Sequence, residues 1–254
     1  MPPAASAAPT PADHALAVAA ATQAGELLVA LREELFASGQ HPSLMGDIGD
    51  RQAHVFLADL LQREAPDDAL LSEEGRDDLS RLRCQRVWIV DPVDGTREFS
   101  EPGREDWAVH VALAIGGVAV AGAVALPARG ITLGTDPPPA PRTPYDGEPR
   151  ILVSRTRPPH QARLIQEAVG GRLVPMGSAG AKAMAVVLGE ADVYAHAGGQ
   201  YEWDNAAPAA VAQAAGLHVS RLDGSALRYN QADPWLPDLL ICRPDLAEAV
   251  IAAL

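Results

Sequence analysis

Apolar residues recur at helical spacing over residues 13–35, where Leu16, Ala20, Leu27, Leu31 and Leu35 fall on one stripe and Asp13 stands where a side chain caps a first turn. A second amphipathic run covers residues 50–64. The period then changes. Residues 69–72, 87–91, 107–115 and 118–126 are short apolar runs of strand length, and Gly116-Gly117 separates the last two as a hairpin turn does. The pattern predicts two long helices followed by a largely antiparallel sheet.

Residues 135–149 interrupt it. Pro137-Pro138-Pro139, Pro141, Pro144 and Gly147 cannot sustain a ladder or a helix, so this stretch reads as a linker or long loop. Beyond it, strand-like and helix-like runs alternate: strands near 151–154, 172–176, 191–196, 218–222 and 239–242, and helices near 159–169, 180–188, 204–215 and 245–254. The expected organisation is a flexible tail over residues 1–12, an α+β half over 13–147 and an α/β half over 148–254, with no internal repeat.

A chain of 254 residues, 48% of them hydrophobic, has enough material for a substantial core. The formal net charge of −13 repels phosphate polyanions, which argues against a nucleic-acid polymer or an anionic membrane as partner. A phosphorylated small molecule would have to be met by local cations. Cys84 and Cys242 form no CxxC pair and read as free thiols. Residues 1–12 have no apolar core and no basic residue, unlike a signal peptide, so a cytoplasmic location is expected.

The chemistry concentrates where strands end in acid. Trp88-Ile89-Val90 runs into Asp91-Pro92-Val93-Asp94-Gly95-Thr96: proline disfavours continuation of a central strand and glycine permits a tight turn, so both carboxylates emerge together. Two aspartates three apart, with a carbonyl between them, can face one hard cation. Glu73-Glu74 follows another apolar run, and Trp203-Asp204 opens an alanine-rich helix. Each has a plainer reading: a solvated turn, a surface acidic pair, a helix N-cap.

In order, Ser72-Glu73-Glu74, Asp91-Pro92-Val93-Asp94-Gly95-Thr96, Gly177-Ser178-Ala179-Gly180-Ala181-Lys182 and Trp203-Asp204-Asn205-Ala206-Ala207 resemble the signature of the inositol-monophosphatase superfamily. Arg97-Glu98-Phe99 and Val153-Ser154-Arg155-Thr156-Arg157-Pro158 resemble its CysQ, or 3′(2′),5′-bisphosphate nucleotidase, branch. The resemblance implies a layered αβαβα sandwich and removal of the 3′-phosphate from 3′-phosphoadenosine 5′-phosphate. It also implies two or three Mg²⁺ ions held by Glu73, Asp91, the Val93 carbonyl, Asp94 and Asp204, and sensitivity to lithium. Asp50 falls where the family keeps an aspartate that hydrogen-bonds the threonine, here Thr96; the approach Gly46-Asp47-Ile48-Gly49 departs from the family's threonine-rich one and leaves Asp47 as a rival.

On this reading Asp50 and Thr96 act on the attacking water, while Gly95, Thr96, Ser154, Arg157, Ser178, Lys182 and Asp204 meet the substrate. Lys182 is the only lysine, and a helix N-terminus beside it suits an anion. In that branch histidine often stands where this chain has Arg157. The expected partner is a nucleotide bisphosphate, with a homodimer left open. An inositol-1-phosphatase, a fructose-1,6-bisphosphatase and, from a different class, a metal-binding regulatory module are the alternatives.

Overall fold

The computed structural model describes residues 8–140, 145–156 and 158–254. Helix α1 (Pro11–Ala37) starts earlier than the periodicity suggests, because Thr10 rather than Asp13 is its N-cap. Asp13 instead completes a capping box, its carboxylate accepting from the Thr10 amide at 2.7 Å, an arrangement typically worth about 1 kcal/mol. By length and composition α1 could cross a membrane; here Ala17, Ala20, Ala21, Ala24 and Leu28 are fully buried against a sheet. Helix α2 (Pro42–Glu64) likewise begins eight residues before the amphipathic run, with proline in its first turn where a missing N–H costs nothing. Asp50 therefore lies in a helix interior and is not an N-cap.

The first sheet runs in the order β1 (Ala69–Ser72), β2 (Arg86–Asp94), β3 (Ala108–Ile115), β4 (Val118–Leu126) and β5 (Ile131–Gly134). Only the β1–β2 pair is parallel. β5 lies outside the runs read as strands from the sequence. Alternation divides the faces by size: Trp88, Val90, Val109, Val111 and Leu113 pack under α1 and α2, whereas Val87, Ile89, Ala108, Ala112 and Ala114 face the other way. The small face lets helices approach closely. A Cβ on Gly122 would stand 3.4 Å from the Ala207 Cα.

Those helices are α5 (Ala179–Val187) and α6 (Glu202–Ala214), and they also cover a second sheet in the order β7 (Arg172–Met176), β6 (Arg150–Ser154), β8 (Val193–Tyr201), β10 (Trp235–Cys242) and β9 (His218–Ser220). On its far face Ile151, Val193 and Leu240 bury Ile165 of α4 (Gln161–Val169) and Val250 of α7 (Ala247–Ala252). The layers are α1/α2, sheet, α5/α6, sheet, α4/α7, the αβαβα sandwich. Residues 141–144 of the expected linker lie outside the described residues, as does most of the expected tail. The halves on either side of the linker share one core, in which Leu71 and Ile89 belong to the same cluster as Met184 and Leu239.

Candidate active site

β2 does not stop at Pro92. Its pairing with β3 is regular from Arg86 to Asp91, slips, and resumes at Asp94, so a bulge takes up the proline. The Val93 amide turns back to the Asp91 Oδ1 at 3.1 Å. Gly95 then takes φ of 90°, which only glycine adopts freely, and launches the single turn α3 (Thr96–Phe99). Asp91 and Asp94 are 2% and 7% exposed.

Asp204, in the first turn of α6, completes a triad: ligand oxygens of Asp91, Asp94 and Asp204 all lie within 4.8 Å of one another. Glu73, at the end of β1, is an exposed residue, but its carboxyl reaches Asp91. Burial, reinforced by the charges of Asp204, Glu74 and Asp94, pushes it to about 7. Burial and the charges of Asp94, Glu73 and Asp204 raise Asp91 well above the carboxylate range. Asp204 is pushed to about 6, by burial first and Asp94 second. Such a cluster is what a hard divalent cation requires and what a protein without one does not favour.

Asp94 differs. Its Oδ2 accepts from the Ser178 hydroxyl and from the Gly180 amide at 2.6 Å, and its Oδ1 accepts from the Ala179 amide at 3.1 Å. Fully buried His110 of β3 places Nε2 3.3 Å from Oδ2, close enough for an ion pair though outside hydrogen-bond geometry, while its Nδ1 meets the Trp203 carbonyl at 3.0 Å. Burial alone would raise Asp94; the His110 charge and these donors hold it below the usual range. Burial would in turn lower His110, and the Asp94 charge overrides it. His110 was not legible as a site residue, since one histidine in an apolar strand reads as core.

The Ala179 and Gly180 amides at the N-terminus of α5 are taken by Asp94 from the same chain. Ser178 and Lys182, expected to touch a nucleotide, also hold this loop: Ser178 takes φ of 50° to cap α5, and Lys182, 6% exposed, donates to the Ser178 and Gly177 carbonyls at 2.6 and 3.3 Å. Burial pulls the Lys182 ammonium down.

The expected Asp50–Thr96 hydrogen bond is absent among the described contacts. The Thr96 hydroxyl donates to the Val93 carbonyl at 3.2 Å, and Asp50 Oδ1 is buried with no partner. Burial and the charges of Glu73, Glu74 and Asp47 push Asp50 to about 8, whereas Asp47 is exposed; of the rivals, Asp50 borders the acidic cluster. Ser154 ends β6 and is half-buried. Arg157 lies outside the described residues. Its neighbour Arg155 bridges Glu98 at 2.8 Å and Glu101 at 2.9 Å, tying the segment after β6 to the turn after β2.

Fold and carboxylate cluster together define a class, and sequence comparison gives it a name: residues 13–138 and 141–254 match the Inositol monophosphatase family, and the chain belongs to it. It is 52% identical over 244 residues, 91% of this chain and 89% of the relative, to the 3′-phosphoadenosine 5′-phosphate phosphatase of Mycobacterium bovis. It is 31% identical to the 3′(2′),5′-bisphosphate nucleotidase CysQ of Escherichia coli, over 74% of this chain and 80% of that one. Among solved structures, CysQ from Bacteroides thetaiotaomicron superposes with a TM-score of 0.76 at 26% identity, covering 91% and 97% of the two chains. Inositol monophosphatase-II of Staphylococcus aureus, at 21% identity, superposes with a TM-score of 0.79 over 95% of each and shares the fold.

Proposed function

We propose that this chain is a metal-dependent phosphatase that hydrolyses the 3′-phosphate ester of 3′-phosphoadenosine 5′-phosphate to give AMP and phosphate in the cytoplasm. The carrying observation is the convergence of Asp91, Asp94 and Asp204, with Glu73 beside them, in a chain 52% identical to phosphatases of that name. The donors fit a hard cation. A carboxylate offers about four lone pairs, and the described hydrogen bonds leave Asp94 Oδ1 room for a ligand. Two or three Mg²⁺ ions held by Glu73, Asp91, the Val93 carbonyl, Asp94 and Asp204 would neutralise the phosphate and acidify water.

The protein's own groups do the aiming. A cation held by the Val93 carbonyl would weaken it as an acceptor for the Thr96 hydroxyl, and unpartnered Asp50 Oδ1 is the alternative acceptor the acidic wall offers. Without metal, burial and the charges of Glu73, Glu74 and Asp47 hold the Asp50 carboxyl up, and cations beside those acids would bring it back toward the carboxylate that can accept a proton. The Gly95 and Thr96 amides are assigned to phosphate oxygens, and Ser154 and Arg157 to the 5′ side of the nucleotide. Ser178 and Lys182 act indirectly, by keeping α5 on Asp94.

The test ranks kcat/KM on 3′-phosphoadenosine 5′-phosphate, inositol-1-phosphate and fructose-1,6-bisphosphate at saturating Mg²⁺. The nucleotide is expected to be the best substrate. A higher efficiency on inositol-1-phosphate moves the chain to a sugar-phosphate phosphatase, and Mg²⁺ binding without phosphate release from any ester makes it a regulatory module. Li⁺, near Mg²⁺ in size with half its charge, is expected to inhibit.

A further inference from the structure

Gly46 lies one helical turn before Asp50 on α2, and Thr96 opens α3. The two residues touch. A Cβ on Gly46 would fall inside 3.0 Å of the Thr96 Cγ2, closer than real Cβ atoms come, while its next neighbour, Ser100 Oγ, would be 3.6 Å away. Three residues on, a Cβ on Gly49 would come within 2.9 Å of the Phe99 ring. Positions three apart share a helix face, so Gly46 and Gly49 form a flat strip against which Thr96 and Phe99 mesh.

Gly46 is not among the residues with positive φ, and alanine suits a helix interior better than glycine does. Space, not backbone conformation, calls for glycine at this position. What occupies the space is the methyl branch of a threonine whose other branch, the hydroxyl, points to the Val93 carbonyl. Both branches hang on one Cβ and χ1 is stiff, so displacing the methyl rotates the hydroxyl.

We propose that Gly46 is a positioning residue for the hydrolysis: the room it leaves for the Thr96 methyl sets the direction of the Thr96 hydroxyl. The inference rests on Thr96 acting on the attacking water. It is tested by kcat and KM on 3′-phosphoadenosine 5′-phosphate for the wild type, Gly46→Ala, Thr96→Ser and the double variant, with thermal unfolding followed in parallel. Gly46→Ala is expected to lower kcat about 10- to 100-fold, the scale of a 1 Å misplacement, with KM within about threefold. Serine keeps Oγ and lacks Cγ2, so the same glycine-to-alanine change in the Thr96→Ser background is expected to cost less than about threefold. An unchanged kcat in Gly46→Ala, an effect confined to KM, or an equal loss in both backgrounds overturns the proposal. If Gly46→Ala does not fold, folding of the double variant carries the same result and its failure to fold overturns it. Thr96→Ala measured alongside separates the two ideas, because wild-type kcat there removes the role of Thr96 whatever Gly46→Ala does.

Discussion

Asp192 and Asp91 are both sealed from solvent, at 0% and 2% exposure, and they are kept in opposite company. Asp192, at the head of β8, accepts from the Arg150 amide at 2.9 Å and the Arg150 Nε at 2.8 Å, with Arg243 3.5 Å away. Asp13 and Asp68 share Arg86 in the same way, and Asp238 takes Arg221. Asp91 instead faces Asp94, Glu73, Asp204 and Asp50. Among the described residues no arginine or lysine forms an ion pair with Asp50, Glu73, Asp91 or Asp204. Arginine-paired acids complete the fold, whereas acids gathered without an arginine, with His110 beside Asp94 alone, leave a folded chain that gains most from binding cations.

The sharpest way to break this contrast is Asp91→Asn. The amide keeps the shape and can still accept from the Val93 amide, but removes a charge the cations need. Turnover is expected to fall about a thousandfold or more, ~4 kcal/mol of barrier, while melting in chelator stays level or rises because repulsion is relieved. A variant working at near wild-type rate would remove Asp91 from the metal cluster.

Asp192→Asn should do the reverse. It strands two arginines beside a buried neutral group, for an expected loss of about 3 kcal/mol of stability. The nine residues of β8 separate it from Asp204, roughly 30 Å at ~3.3 Å per residue. KM and the Mg²⁺ requirement of the folded fraction should therefore not move. Denaturant unfolding with parallel kinetics decides; an altered Mg²⁺ requirement would mean the two acid classes are coupled.

How much of this was legible in sequence depended on range. Acid at the end of an apolar run is a local signal at Glu73, Asp91 and Asp94, and Asp204 stands at the opening of a helix; resemblance to the family, not these local signals, joined the four into one cluster. Thr10-Pro11 with Asp13, and His41-Pro42, were also local signals of helix starts, but the apolar stripes begin later and drew the boundaries after them. What sequence could not show was partnership across the chain. The Gly180 amide meets a carboxylate 86 residues away; His110 joins β3 to the start of α6 across 93 residues. Neither the rarity of Lys182 nor the resemblance of its segment to the family's shows that it is buried against the Gly177 and Ser178 carbonyls.

The pH response without metal should carry both signatures. Unfolded Asp and Glu titrate near 3.8 and 4.5, whereas folded Asp204, Glu73 and Asp50 sit near 6, 7 and 8. Between those limits the folded chain binds more protons than the unfolded one, so stability in chelator should fall as pH rises from about 5 to about 8. The Asp13 carboxyl is opposite: burial would raise it, but bonds to Arg86 and Thr10 hold it below 3.8, so its contribution is present at neutral pH and fades only as pH drops through its folded value. Melting temperature against pH, with chelator and with Mg²⁺, checks both. Saturating Mg²⁺ should flatten the upper arm and leave the acid arm; an upper arm that persists in Mg²⁺ would assign those shifted groups to something other than the cation site.

The smallest expected effect marks where the comparison stops. Arg63 and Asp59 lie one turn apart on α2, 2.7 Å between Nη1 and Oδ2, with side chains 60% and 71% exposed. The distance matches that of the buried pairs, so a view based on contact geometry alone would give Asp59 the weight of Asp192. Solvent removes the equivalence: water screens the attraction and already solvates both groups, and holding two long side chains in register costs entropy. Exposed helix pairs of this spacing contribute about 0.3–0.5 kcal/mol. Asp59→Asn is accordingly expected to shift stability by no more than about 0.5 kcal/mol, to lose even that at 1 M salt where screening reaches ~3 Å, and to leave turnover unchanged. A loss near 3 kcal/mol in denaturant unfolding would mean that pairing itself, and not burial of the pair, separates the structural acids from those of the site.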